Sequence, residues 1–262
     1  MRRVFFLILL LCYLTPAFGY PFIDINRESA LRIGIKIWYN ECNGKIAGLT
    51  TWNNGERFAS LGIGHFNWFP KGHLNSAKDG FPQLIRYMER VGVTVPYWLQ
   101  GEITPPCPWH TREEFQAAQQ SKKMQELRQF LVDTIPVQAQ FMVYRLVNAL
   151  PKLITNTPYE DREFIFEQFV NLSSTPQGIY ALVDYVNFKG EGAGVFSKRG
   201  SGWGLLQVVE GMRYAPCHLN TVQAFVWSAN NALTERVRQA SPSSHEGKWL
   251  PGWRNRICTY LH

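Results

Sequence analysis

The sequence lacks the features that mark several broad classes of protein. It has no internal repeat, no low-complexity segment, and no run of glycine, serine, proline or like charge that would form a linker. Hydrophobic residues make up 45% and aromatic residues 14% of its 262 positions, which excludes a disordered, collagen-like or coiled-coil chain. The length suits one large domain or two small ones, and the missing linker favours one.

Motifs of several common chemistries are also missing. There is no C-x-x-C and the six histidines are scattered, so we expect no structural zinc site. Neither G-x-S-x-G nor H-E-x-x-H occurs, and Gly190-x-Gly192-x-Gly194 lacks the strand and helix of a dinucleotide loop. We therefore expect no cofactor. Basic residues are dispersed along the chain rather than clustered with aromatics, which disfavours a nucleic-acid partner.

The one long hydrophobic run stands at the start of the chain. Two arginines precede an apolar stretch from Val4 to Leu14, and Ala17-Phe-Gly19 follows as a small-x-small cleavage pattern. Residues 1–19 are therefore predicted to be a secretory signal peptide, with an uncleaved anchor as the alternative. Because the run is too short for a comfortable span, we expect no stable membrane span after cleavage, and a periplasmic or secreted protein.

Cysteine is scarce, and its number depends on that cleavage. Without the first 19 residues the chain has 25 basic and 20 acidic residues, a net charge of +5, and four cysteines. An even number in an exported protein predicts two disulfides, whose three possible pairings the sequence leaves open. The four residues are Cys42, Cys107, Cys217 and Cys258.

Apolar periodicity and capping residues predict a mostly helical α+β fold with one small sheet. The first helix is capped by Asn26, has its apolar stripe at Leu31, Ile35 and Trp38, and ends at Asn43-Gly44 with Glu41 in its last turn. A hairpin is predicted between Gly48 and Phe69. The other predicted helices cover about 81–90, 111–134 from a capping box at Thr111, 137–150, 159–171, 177–188 and 220–240.

The hairpin carries a motif with chemical meaning. Its segment Ser60-Leu-Gly62-Ile-Gly64-His65 resembles the T-I-G-x-G-H strand of phage-type lysozymes and endolysins. In that family a catalytic glutamate closes a helix, a small hairpin follows, and this strand lines the saccharide cleft. The resemblance implies that Glu41 is the general acid and that Ser60 stands beside the scissile bond. It covers about thirty residues of the chain.

One family residue is replaced in this sequence. The family's aspartate, six residues before the threonine, corresponds to Asn54. Glu56 is a possible substitute because period-two alternation places it on one strand face with Phe58 and Ser60, where it could orient water while Glu41 acts as the acid. The alternative is that Glu56 is a solvated turn residue and that Glu41 acts alone.

A second segment resembles another branch of the same superfamily. Gly204-Leu-Leu-Gln207-Val is similar to the G-L-M-Q-[VI] segment of goose-type lysozymes and lytic transglycosylases, and Glu191 precedes it. That resemblance makes Glu191 the alternative catalytic residue and implies substrate binding by Trp203 and Gln207. Nearby Asn187, Lys189 and Arg199 would suit sugars and anionic peptide stems.

Other residues have both a binding and a structural interpretation. Trp52 and other hairpin aromatics could line sugar subsites or form core. His65 is predicted on the strand face opposite Ser60, where a buried, hydrogen-bonded histidine is favoured over a catalytic one. The C-terminal Trp253-Arg-Asn-Arg256 resembles the R-R helix of phage endolysins, or is a plain basic helix.

These resemblances imply a lysozyme-like domain over residues 20–262, with a helical lobe and a small β-hairpin sheet lining a cleft. They predict an exported enzyme that cleaves peptidoglycan as a lysozyme or lytic transglycosylase, with chitin as another possible substrate. The alternative is a non-catalytic glycan-binding or cell-envelope protein, which Asn54 makes credible. The sequence leaves the oligomeric state open.

Overall fold

A computed structural model of the chain describes residues 23, 25–72, 79–192 and 202–262. The predicted signal peptide, together with Gly194 and Arg199, lies outside these residues. No helix in the described ranges is long and apolar enough to cross a membrane.

Ten α-helices and one small sheet make up most of the regular structure in the described residues, which confirms the predicted mostly helical α+β class. The helices are α1 (Arg27–Cys42), α2 (Gly80–Arg90), α3 (Arg112–Ala117), α4 (Lys122–Asp133), α5 (Ile135–Thr155), α6 (Arg162–Ser173), α7 (Pro176–Lys189), α8 (Leu205–Gly211), α9 (Thr221–Gln239) and α10 (Leu250–Cys258). The strands are β1 (Thr50–Thr51), β2 (Ala59–Leu61) and β3 (Phe66–Trp68), in antiparallel order β1-β2-β3.

Helix α1 begins and ends where its capping residues predict. The Asn26 side chain accepts a hydrogen bond from the Ser29 amide at 2.8 Å, and Asn43 adopts the left-handed conformation that ends the helix. The predicted stripe was wrong, however, because Leu31 and Ile35 are exposed.

The buried face of α1 consists of Ala30, Ile33 and Ile37, and it packs against α5. Gly34 lets the two helices approach, since a Cβ there would lie 2.7 Å from the Ile135 side chain. Glu41 stands one turn after Ile37, on the same side of the helix as this buried face.

The sheet differs from the predicted hairpin in its bounds. Strand β2 begins only at Ala59, so Glu56 lies in the preceding loop and not on a strand face with Phe58 and Ser60. The segment Gly62–His65 is a turn between β2 and β3. The Gln138 side chain on α5 accepts a hydrogen bond from the Ile63 amide at 2.9 Å, which fixes this turn against the helical part of the molecule.

The long helix predicted from Thr111 to about Thr134 is interrupted. Thr111 does cap α3, accepting from the Glu114 amide at 3.2 Å, but a short 3₁₀ turn follows and Ser121 caps a new helix, α4, through the Met124 amide. The Ser121 side chain accepts a hydrogen bond from the backbone at the start of α4 and so favours a new helix there. Apolar periodicity does not show such a cap.

Core side chains extend from Ile25 to Tyr260 in one hydrophobic cluster, with α5 packed against α1, α2, α6 and α7. Cys107 is buried and Cys42 half-buried, whereas Cys217 and Cys258 are exposed, and all four are free thiols. The two disulfides are therefore not seen and stay a prediction.

The turn after β2 requires glycine for two reasons that can be separated by mutation. Gly62 has φ +69°, and a Cβ there would lie 2.3 Å from the Gln138 oxygen that holds Ile63. Gly55 has a similar φ of +82° with open space around it. We expect Gly55→Ala to cost about 1 kcal/mol from backbone strain, and Gly62→Ala about 3 kcal/mol because it also disturbs a buried hydrogen bond. Urea denaturation measures both, and equal losses would contradict the crowding argument.

Candidate active site

Glu41 is held at the end of α1 by groups from two distant helices. Its Oε1 atom accepts hydrogen bonds from Arg256 on α10 at 2.6 Å and from Asn187 on α7 at 3.2 Å. Its Oε2 atom lies 3.5 Å from His65 Nδ1. The side chain keeps 14% exposure, so the carboxyl group is positioned by the fold and still reaches solvent.

Arg256 contacts a second carboxylate as well. Its guanidinium donates to both oxygens of Asp184, from Nε at 2.8 Å and from Nη2 at 2.9 Å. Asp184 has no exposed surface, and it also accepts from Tyr260 at 2.6 Å and from Asn40 at 3.3 Å. Burial and the charge of Asp184 raise the pKa of Tyr260 well above its ordinary value, so this phenol remains a neutral donor.

Arg256 holds the two carboxylates differently. Arg256 pairs with both carboxylates: bidentately with Asp184, and through Nη2 with Oε1 of Glu41. Because Oε1 accepts two hydrogen bonds, a proton on Glu41 belongs on Oε2, the oxygen that faces His65.

His65 stands beside Glu41 rather than on a strand face. It lies in the turn before β3 with φ 48°, a left-handed conformation that is uncommon for a non-glycine residue. Its Nε2 atom is buried without a hydrogen-bond partner among the described residues. The prediction of a buried, hydrogen-bonded ring is thus only partly right, since the ring is half-buried and its close polar neighbour is Glu41.

The other hairpin residues are placed as follows. Ser60 is buried in β2, where it pairs with Thr51 and Asn67. Glu56 is half-buried in its loop and accepts from the Asn53 side chain at 3.1 Å. Trp52 is only 6% exposed, packs edge-on against a phenylalanine ring and donates to the Glu56 carbonyl. In this conformation its ring presents no open face to a sugar.

Residues of the second motif form hydrogen bonds with the backbone of Glu191 and Gly192. The Gln207 side chain donates to the Gly192 carbonyl at 3.1 Å and accepts from the Gly204 amide at 3.2 Å, and the Leu206 amide donates to the Glu191 carbonyl at 3.0 Å. Both ends of the Gln207 amide are therefore used in holding the chain. Glu191 itself pairs with Lys152 at 3.0 Å and is 36% exposed, which makes it a surface ion pair.

Trp203 belongs to an aromatic cage around Lys189. The Lys189 ammonium lies 3.6 Å from the ring centroid of Trp253, 3.9 Å from that of Phe188 and 4.5 Å from that of Trp203. Burial lowers the pKa of Lys189 to about 8, with repulsion from Arg256 and Arg236 adding to the effect and Glu246 opposing it. Trp253 precedes Arg256 on α10, so the cage joins the end of α7 to the helix that contacts Glu41.

Sequence reasoning did not assign Arg256 and Asp184 to the site. The tail Trp253-Arg-Asn-Arg256 was the one signal that pointed to the arginine, through its resemblance to the endolysin R-R helix. Asp184 lies within an apolar helix segment and carries no motif. No group of three or more histidine, cysteine, aspartate or glutamate side chains in the described residues could hold a metal ion.

Removing Arg256 should be much more damaging than removing a neighbouring arginine. Arg256→Met leaves Asp184 buried without its ion partner, and we expect it to lower the free energy of unfolding by about 3–5 kcal/mol. Arg254→Met is the matched control, because Arg254 is exposed and contacts only neutral groups on α9, and it should cost less than about 1 kcal/mol. Adding Asp184→Asn to Arg256→Met should restore part of the loss in urea denaturation. Similar losses for the two arginines would contradict this account.

Lys189 should give the folded protein a pH dependence in the alkaline range. The folded chain releases its proton near pH 8, whereas the unfolded chain holds it up to the ordinary pKa of 10.5. The unfolded state therefore binds more protons between these values, and stability through this group rises with pH across that window. Relative to Lys189→Met and Lys189→Arg, the wild type should gain stability from pH 8 to 10.5 in chemical denaturation. Parallel pH profiles would show that the lysine does not titrate as expected.

Comparison with known proteins adds no relative to these observations. No family model, no curated protein and no solved structure matches the chain.

Proposed function

We propose that this protein is an exported, lysozyme-like enzyme that cleaves the glycan strands of peptidoglycan, with Glu41 as its general acid. The observation that carries the proposal is the setting of Glu41: an acid at the end of a helix, beside the turn with the G-x-G-H motif, held on one oxygen by Arg256 and Asn187. The lysozyme-like fold, periplasmic or secreted location and single domain over residues 20–262 are parts of the same proposal.

In this mechanism Oε2 of Glu41 donates a proton to the glycosidic oxygen as the bond to the sugar breaks. Arg256 and Asn187 keep Oε1 fixed, so the proton donor points in one direction throughout the reaction. After donation Glu41 is a carboxylate, and the positive charge of Arg256 beside Oε1 stabilises this product of the proton transfer. Asp184 keeps Arg256 in place in both protonation states.

The fate of the sugar cation distinguishes two versions of the enzyme. A water molecule oriented by Glu56 would yield a reducing end, as in a lysozyme. If Glu41 acts alone, the substrate's own 6-hydroxyl closes a 1,6-anhydro ring and returns its proton to the Glu41 carboxylate, as in a lytic transglycosylase. Glu56 lies in a loop rather than on the strand that carries Ser60, which favours the version with one carboxylate.

Glu191 is the weaker candidate for the acid. It forms an exposed pair with Lys152, and the polar side chain of its motif, Gln207, is occupied in binding backbone. Glu41 by contrast is largely withdrawn from solvent and is held by side chains from two helices. Burial and specific partners of this kind are typical of catalytic groups.

Three isosteric variants test the assignment. Glu41→Gln keeps an oxygen for Arg256 but has no proton to donate, so it should fold and should lose about 10²–10⁴-fold in the rate of cleaving purified peptidoglycan. Glu191→Gln is the matched control with the same chemical change. Glu56→Gln tests whether Glu56 orients the attacking water, because it should slow cleavage only in the lysozyme version. Mass analysis of the released fragments identifies reducing or 1,6-anhydro ends.

The outcomes separate the remaining possibilities. Full activity of Glu41→Gln with loss in Glu191→Gln would move the acid to Glu191. Chitin fragments without peptidoglycan fragments would change the substrate. Binding of peptidoglycan without any cleavage by the wild type would favour the non-catalytic glycan-binding protein, which Asn54 in place of the family's aspartate also suits.

A further inference from the structure

We propose that a cationic groove between α2 and α5 binds the carboxylates of the peptide stems on the glycan substrate. The groove has a volume of about 570 Å³ and is lined by the basic residues Arg86, Arg90, Arg145 and Lys152. Glu191 is the one acidic residue among its lining residues in the described part of the chain. This inference rests on the proposed function and specifies which part of the substrate is recognised.

The charges are arranged in two facing rows. Arg86 and Arg90 are one turn apart on α2, and Arg145 and Lys152 are seven residues apart on α5, which spans about 10 Å along the helix axis. Lys152 pairs with Glu191. Within the described residues no carboxylate lies within 4.0 Å of the three arginine guanidinium groups. Asp79 and Glu191 act on Arg86 and Arg145 from farther away, and Arg90 donates to Tyr144. Each guanidinium has five N–H donors, so donors remain for carboxylates of a ligand.

Aromatic rings make this a shaped site and not a dispersed charged surface. The Arg90 guanidinium lies 5.5 Å from the Tyr87 ring centroid and 5.0 Å from that of Tyr144, and those two rings are 5.4 Å apart. Arg145 lies 5.9 Å from the Phe141 ring. Rings that support arginine side chains reduce the number of conformations lost on binding.

Two elements connect the groove with the surroundings of the proposed acid. Phe141 in its floor packs against Phe66 at 5.5 Å, and Phe66 directly follows His65, which contacts Glu41. At the other side, Glu191 follows α7, whose Asn187 donates to Glu41. The groove and Glu41 are therefore joined through β3 and the end of α7.

The extent of the groove favours a stem peptide over a small anion or a neutral sugar polymer. The three arginines, two of them one turn apart on α2 and one on α5, match a peptide that carries several separated carboxylates. Chitin-type polymers have no carboxylates to neutralise these charges. We therefore expect the groove to make the protein discriminate between stem-bearing and stem-free glycan.

Binding measurements test the groove without requiring cleavage. The ligands are a soluble disaccharide–tetrapeptide from peptidoglycan, the same disaccharide without peptide, and chitotetraose, titrated calorimetrically into Glu41→Gln protein. Adding Arg86→Gln and Arg90→Gln should weaken binding of the stem-bearing ligand at least about tenfold, a loss that shrinks with salt, and should leave chitotetraose binding unchanged. Arg27→Gln with Arg32→Gln, two exposed arginines on α1, is the control of equal charge.

Each result counts for or against the groove. Equal affinity of the groove variant and the control for the disaccharide–tetrapeptide would overturn the inference, as would tighter, arginine-dependent binding of a single-stranded oligonucleotide. In an otherwise wild-type background, the Arg86→Gln and Arg90→Gln pair should slow cleavage of intact peptidoglycan more than cleavage of stem-free glycan strands. Arginine-dependent binding by a protein that cleaves nothing would leave the groove standing and refute the enzyme, whereas Glu41-dependent cleavage with no arginine effect would do the reverse.

Discussion

The arrangement around Glu41 depends on the burial of one carboxylate, that of Asp184. An aspartate without exposed surface is unstable in a folded protein unless it is paired and hydrogen-bonded. Its partners come from α1, from α10 and from the C-terminal residues, through Asn40, Arg256 and Tyr260. The end of the chain must therefore close over α7, and this closure brings Arg256 against Glu41. A requirement of folding thus supplies the residue that orients the proposed acid.

Helix α5 supports the site from the other side. Gln138 holds the turn that presents His65, Phe141 lies beneath the cationic groove, and Lys152 reaches Glu191. These residues lie along one 21-residue helix, so the turn, the groove and the Glu191 segment share a rigid base. Sites held on helices keep their geometry better than sites on loops. Glu41, at the end of α1, is fixed to the same base by the close packing of α1 on α5.

Local signals in the sequence predicted much of this structure and failed where the decisive contacts are distant. Asn26 and Asn43 mark the ends of α1 because capping depends on neighbouring residues. Periodicity chose the wrong stripe on that helix, since Leu31 and Ile35 are as apolar as the residues that the core buries. Glu56 was placed on a strand because alternation does not show where pairing begins. The contact of Glu41 with Arg256 joins residues 215 positions apart, and no pattern along the chain specifies that pairing.

The basic residues also show that a pattern along the chain does not specify distant contacts. The net charge of +7 describes the total and does not reveal that four basic residues line one groove with a single acid among its described lining residues. Along the chain those residues appear dispersed, yet Arg86 and Arg90 are four apart on one helix and Arg145 and Lys152 seven apart on another. Each spacing puts both residues on one helix face. The sequence therefore shows that each pair of basic residues shares a helix face. It does not show that α2 packs against α5, and this packing is what brings the two pairs together.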